Sequence, residues 1–418
     1  MINRMNKAFT RKVDIAYVVI FYVGFQGGRY YLENRIQELS FVVVLTLFAF
    51  GAIKLAMQRA DVKWGLWFWI PSLIISYPMI ISSITYYLNT GSNIFYSFFA
   101  TREFLIIYLA PTIFFMYKLG YPIERLEKLF VISIIIAIIN YLFFYLTLDL
   151  VALKWGSHLY MSQQITFDEW RGYRLKPPTA ALYLATSCFL ILMTYKLGSI
   201  KKFGVIIILS MVMFCWYIVV QRSQIAMLIL STILYPILCS RPSRINTLIF
   251  GLPVVILTIL LFSGTLVEIF FEVDKIRKGT AIICLEVISE KPMLGFGTAS
   301  WKGISYQTVL GQYFFPSDVG FLGICFKYGI LGGSIYLYVL LLIMIRSVKT
   351  NWYYFFYEKK INPLLVALVI WVIGVFINTI LVPELVFMQG IYMASFIIGI
   401  TACYRDKFSQ TKFQKTDF

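Results

Sequence analysis

Histidine is all but missing from this chain: His158 stands alone in 418 residues. Proton shuttles and metal sites lean on imidazole, so any chemistry here is built mainly from other side chains. Charge is scarce as well. Asp, Glu, Lys and Arg make up 14% of the residues while 60% are hydrophobic, whereas soluble domains carry about 25% charged residues. That balance excludes an ordinary water-soluble domain. Ten-residue segments of alternating polarity are also absent, which excludes an outer-membrane type of barrel. The six cysteines lack the paired spacing of a disulfide framework or a zinc site. Cys188, Cys215, Cys239, Cys325 and Cys403 fall in or at the ends of apolar runs, and only Cys284 lies in a long loop.

What is present is a succession of continuous apolar runs of about twenty residues. Lipid offers the backbone no hydrogen-bond partners, so helices must satisfy themselves. The sequence therefore predicts an all-α polytopic integral membrane protein, one transmembrane domain over 1–418, with about twelve transmembrane helices. The expected spans are near 13–31, 39–56, 64–88, 102–117, 129–148, 179–195, 203–220, 223–239, 246–266, 318–345, 362–382 and 387–404. Pro71 and Pro78 predict a kink in the third. The basic N-terminus leads straight into the first span and reads as an uncleaved anchor.

The net charge of +17 first suggests nucleic acid. Its distribution argues otherwise, because the Lys and Arg excess collects on one side of the expected spans, as the positive-inside rule requires. Both termini are then cytoplasmic. Besides short outer turns such as the one at Pro383-Glu384, three longer loops are expected outside: an Asn/Ser/Gly-rich loop at 89–101, a loop at 149–178 and a large loop at 267–317.

The large loop has the densest charge outside the spans, and loops on a rigid scaffold are where function concentrates. Its centre reads RKGTAIICLEVISEKPMLGFG, Arg277 to Gly297. Ile276, Thr280, Ile283 and Val287 share one helical face and Glu286 and Glu290 another, which predicts a surface-lying amphipathic helix over 279–291. Lys291-Pro292 ends it. Gly295-Phe296-Gly297 reads as a tight turn against a neighbouring backbone rather than a phosphate cradle. The next span opens at Ser317-Asp318 and contains Tyr328-Gly329-Ile330-Leu331-Gly332. Lys327, inside that span, is expected to face protein.

This order, an Arg, an amphipathic helix, Lys-Pro-Met-Leu-Gly-Phe-Gly, then a span with an aromatic-Gly turn, resembles the C-terminal signature of the O-antigen ligase and O-antigen (repeat-unit) polymerase family. The motif match covers about sixty residues, and the many-span layout covers the whole chain. The resemblance implies a GT-C-like membrane glycosyltransferase of the bacterial cytoplasmic (inner) membrane. Such an enzyme takes a glycan from an undecaprenyl-diphosphate-linked donor on the outer face and passes it to a glycan acceptor. It implies no cofactor and no metal, membrane lipid but no nucleic acid as surroundings, and a chain-length regulator protein as a further partner. Where family members often carry His, this sequence has Asp318, which inclines the reading to polymerase over ligase.

Within that reading Arg222 and Arg277 bind the diphosphate, since guanidinium is a planar fork that keeps its charge. Lys278, Arg171 and Arg174 extend the basic surface. Asp318 is the candidate base and His158 the alternative. Arg222 stands between two apolar runs with almost no loop around it, where snorkelling to the interface explains it too. Asp318 and Ser317 equally suit the first turn of a helix. Glu268, Glu272 and Asp274 could hold a divalent cation or simply line the membrane surface. A flippase of lipid-linked oligosaccharide is the competing class; it has no need of the Arg-helix-Pro-Gly loop.

Overall fold

The structure, a computed structural model, describes residues 7–25, 36–59, 65–149, 164–168, 172–195, 197–219, 222–239, 275–299, 304–311, 313–379 and 387–416. Its helices in chain order are α1 (Lys7–Gly24), α2 (Ile36–Met57), α3 (Leu66–Thr90), α4 (Ile94–Ala100), α5 (Arg102–Lys118), α6 (Ile123–Thr147), α7 (Thr179–Met193), α8 (Ser199–Val219) and α9 (Arg222–Cys239). They continue with α10 (Lys275–Glu290), α11 (Tyr306–Leu310), α12 (Gly320–Glu358), α13 (Pro363–Asn378) and α14 (Met388–Thr416).

Five of these are long and apolar enough to cross a membrane: Glu38–Met57 of α2, α3, α6, α8 and α12. The bent pair α4 and α5, meeting at 52°, makes a sixth if it is one span. The shorter α7 and α13 are apolar as well. In α13 every residue from Leu364 to Val375 is buried, as expected of a helix enclosed by others rather than by solvent. The chain is a helical membrane protein on these observations. The ninth expected span, 246–266, lies outside the described residues.

Three local differences from the sequence reading have physical causes. Pro78 lacks the N–H that an α-turn needs, and α3 absorbs this by widening into a π-helical turn over Ile75–Ile81 rather than by dividing. The expected loop at 89–101 is largely helical: the Asn93 side chain accepts from the Phe95 N–H at 2.9 Å and so starts α4. The 149–178 loop contains a two-stranded antiparallel hairpin, β1 (Ile165–Asp168) and β2 (Gly172–Leu175), which pairs Ile165 with Leu175 and Asp168 with Gly172.

The main core gathers where α14 packs on α5 and α12, and where α13 packs on α7, α9 and α12. Phe130 of α6 stacks on Phe396 of α14 with ring centroids 3.7 Å apart, and Phe21 of α1 meets both edge-on. Asn362 caps α13 by accepting from the Leu364 and Leu365 N–H groups, and donates to Glu127 of α6 at 2.8 Å. The free cysteines Cys188, Cys215, Cys284, Cys325 and Cys403 are all buried. A second, smaller core stands apart. It consists of Tyr86, Ala281, Cys284, Val287, Phe296, Tyr306, Phe314, Val319, Leu322 and Phe326, and it joins the end of α3, the helix α10 and the start of α12.

Candidate functional site

The second core is organised by a break in α12. Gly329 has φ 67° and ψ −178°, a conformation open essentially to glycine. The helix ladder is interrupted there, and the carbonyls it would have used take other partners. The Phe296 N–H donates to the Phe326 carbonyl at 2.7 Å, and the Gly297 N–H to the Lys327 carbonyl at 2.9 Å. The Tyr77 hydroxyl, from the π turn of α3, donates to the Tyr328 carbonyl at 2.8 Å. In return the Ile330 N–H donates to the Pro292 carbonyl at 2.7 Å. Non-helical backbone at membrane depth is tolerated only when protein serves it in this way.

The Lys-Pro-Met-Leu-Gly-Phe-Gly segment is thus docked into the break of the Tyr-Gly-Ile-Leu-Gly segment. Contact is too close for side chains. A Cβ on Gly329 would lie 2.1 Å from the Met293 carbonyl oxygen, and one on Gly297 would lie 2.4 Å from the Tyr86 backbone nitrogen. The expectation of a tight turn against a neighbouring backbone holds for Gly295 and Gly297, both at positive φ.

Side chains then lock the unit. Lys291 donates to Asn89 Oδ1 at 2.6 Å, Asn89 Nδ2 donates to the Phe296 carbonyl at 3.0 Å, and the Lys291 ammonium sits 5.4 Å from the centre of the Phe296 ring. Ser82 and Thr298 share a hydroxyl hydrogen bond of 2.7 Å. Tyr306 donates to the Gly297 carbonyl and accepts from the Ala299 N–H. Burial pushes the Tyr306 hydroxyl and the Cys284 thiol well above their ordinary ranges, so neither is an ionised nucleophile at neutral pH.

The helix α10 forms as the sequence predicts. Thr280, Ala281, Cys284, Val287 and Ile288 are buried on protein, chiefly on α12, while Ile276 is 48% exposed. One face of the helix is docked on protein, and Ile276 and Ile282 remain exposed. Lys327 lies within electrostatic range of Cys284 of α10, which matches the expectation that it faces protein.

Three of the expected site residues belong to this unit. Arg277, exposed, and Lys278, half-buried, stand in the first turn of α10. One turn further on, Thr280 accepts from the Phe315 N–H and donates to the Tyr313 carbonyl, each at 3.4 Å. Asp318 follows three residues after Phe315, in a 3-10 turn over Pro316–Asp318 against which α10 packs. Arg277 and Asp318 therefore lie at the same end of the docked unit. Ser317 does not cap α12, which starts two residues after Asp318; its hydroxyl donates to the Asp318 carboxylate at 3.3 Å.

Arg222 begins α9, and its side chain lies outside the described residues. Gln224, two residues on, helps line a cavity of about 20 Å³ with Tyr183, Asn378 and Gln389, space for one water. His158, Arg171, Glu268, Glu272 and Asp274 are outside the described residues, and of Arg174 only the backbone in β2 is described. Among the described residues no group of three His, Cys, Asp or Glu side chains is placed to hold a metal. Sequence reasoning missed Asn89 and Tyr77 altogether. The signal that could have found Tyr77 was Pro78, which marks where α3 loosens.

In comparisons with known proteins, no protein-family model matches this chain and no curated protein is found to be similar to it.

Proposed function

We propose that this protein is a membrane glycosyltransferase that polymerises, or ligates, oligosaccharide units carried on undecaprenyl diphosphate at the outer face of a bacterial cytoplasmic membrane. The reading rests on the resemblance of the 277–297 and 317–333 segments to the O-antigen ligase and polymerase family. One observation carries it further: the two halves of that signature are a single docked unit, joined through the break at Gly329, with Arg277 and Asp318 at one end. About twelve spans, a GT-C-like architecture and cytoplasmic termini belong to the same proposal.

In this mechanism Arg277, with Arg222, holds the diphosphate of the donor. Asp318 takes the proton from the acceptor hydroxyl, with His158 as the alternative base. The acceptor oxygen bonds to the anomeric carbon of the donor sugar as the bond from that carbon to the phosphate oxygen breaks. The electron pair leaves with undecaprenyl diphosphate, and the guanidinium groups stabilise the charge that develops there. Polymerase is preferred to ligase because Asp stands where ligases usually carry His.

The test is the lipid-linked glycan in cells lacking this protein, sized by mass and located by membrane side. Single repeat units on the outer face are the expected result. Long lipid-linked chains there would mean ligation, and single units held on the inner face would replace the enzyme with a flippase. In cells complemented with Arg277→Ala, polymer should be lost while the protein stays in the membrane at its normal level. Normal polymer from that variant would remove Arg277 from the mechanism.

A further inference from the structure

At the opposite end of the helices from the docked unit lies a cavity of about 510 Å³. About 25 Å of α12 separate Gly329 from Arg346, close to the thickness of a bilayer's hydrocarbon, about 30 Å. Arg346 therefore reaches headgroup level while the break at Gly329 stays just inside the apolar layer at the other side. Exposed Tyr353, Phe355 and Phe356 follow it on α12, as residues of an interfacial aromatic belt do.

Four charged residues from three helices line the cavity: Lys118 of α5, Arg346 of α12, and Arg405 and Asp406 of α14. The single acid is already engaged. Lys118 pairs with Asp406 at 2.6 Å, and the Tyr117 hydroxyl bonds the same carboxylate. Arg346 and Arg405 are close enough to repel one another, and among the described residues neither has an acidic partner. Arg346 is half-buried and Arg405 exposed, and with Asp406 held by Lys118 the cavity keeps an excess of positive charge that an anion between the two guanidinium groups would relieve. An apolar stretch of the wall comes from Trp67, Ile70, Phe114, Leu342 and Ile398, with Thr401 and Ser409 adding hydroxyls beside the charges. The cavity thus presents a double guanidinium fork beside a hydrocarbon surface, at the level of the headgroups.

We infer that this cavity binds an anionic phospholipid, its phosphate between Arg346 and Arg405 and an acyl chain along the Trp67–Phe114 wall. Guanidinium suits the site because it offers paired donors to phosphate oxygens and never loses its charge. The inference does not depend on the proposed glycosyl transfer.

The experiment uses the full chain, purified in a neutral detergent and stripped of lipid, with thermal unfolding followed as lipid is added. Phosphatidylglycerol should raise the midpoint by about 5 °C at saturation. Phosphatidylcholine, which carries no net charge, and inorganic phosphate, which has no chain, should each give much less. The Arg346→Gln and Arg405→Gln double variant should lose the preference for phosphatidylglycerol, and Arg346→Lys should weaken its binding about tenfold. An equal shift from phosphatidylcholine would overturn the proposal, as would an undiminished preference in the double variant. A full shift from inorganic phosphate alone would leave an anion site and remove the lipid. The three additives compared on the wild-type protein decide the matter even where the double variant does not fold.

Discussion

The helix bundle and the docked unit around Gly329 are both buried, yet they are held by different means. In the bundle the backbone looks after itself. The hydroxyls of Thr186, Ser347, Ser395 and Thr401 turn back to carbonyls four residues earlier in their own helices. Neighbouring helices meet through apolar and aromatic surfaces such as the Phe130–Phe396 stack. In the docked unit the backbone depends on other segments. The carbonyls of Phe326, Lys327 and Tyr328 are served by Phe296, Gly297 and Tyr77, and the Phe296 carbonyl by Asn89. The difference teaches where this protein is tolerant. A helix that satisfies its own polar groups accepts changes of volume on its surface. A broken helix in an apolar span accepts little, because each freed group needs its particular partner.

The largest effect is expected from one added methyl at the break. Gly329→Ala puts a Cβ 2.1 Å from the Met293 oxygen at a φ of 67°. Strain and clash together should cost about 3 kcal/mol or more. Thermal unfolding in detergent should show the loss, and chymotrypsin should gain access to Phe296. A variant with wild-type melting and a protected Phe296 would mean that the break is not the organising feature.

A smaller contrast sets hydroxyl against hydroxyl. Tyr77→Phe leaves the Tyr328 carbonyl without its donor and should cost about 1–2 kcal/mol. Ser395→Ala removes a buried hydroxyl whose acceptor, the Ile391 carbonyl, already belongs to a helix ladder, and should cost less than half as much, about 0.5 kcal/mol. Equal costs would erase the distinction between the two regions.

The smallest effect has the opposite sign. Gly279 lies within α10, and a Cβ there would meet nothing within 4 Å. Gly279→Ala should stabilise the protein by about 0.5–1 kcal/mol, since it only removes backbone freedom from the unfolded chain. Read beside Gly329→Ala, it separates a glycine needed for its conformation from one that is merely tolerated.

Much of the helical layout was legible because hydropathy is written locally. The expected 203–220 and 223–239 segments appear as α8 and α9, and the amphipathic pattern after Arg277 appears as α10. The candidate site was legible only in part. Gly295 and Gly297 could be read as a close approach, but not what they approach. The partner is a carbonyl row freed by Gly329, thirty-odd residues away, together with Ser82 and Tyr86 in the last turns of α3, more than two hundred residues earlier. Lys291 read as the end of the amphipathic helix and the start of the Lys-Pro-Met-Leu-Gly motif; that it ties to Asn89 did not show. The cavity at the far end of the helices escaped because Lys118, Arg346 and Arg405 lie far apart in the sequence and nothing local says that they converge.

Composition and periodicity by themselves determined that this chain is a bundle of apolar helices, because lipid forces every backbone group to be satisfied within its own segment. The same information marked the large loop before α12 as the part that lipid does not explain. Tertiary structure alone decided how that loop is held and which charges share a site. Hydrogen bonds such as Phe296 to Phe326 and Tyr77 to Tyr328 are made between segments far apart in the chain. Whether two guanidinium groups face one cavity is likewise set by how helices pack, which no local pattern encodes.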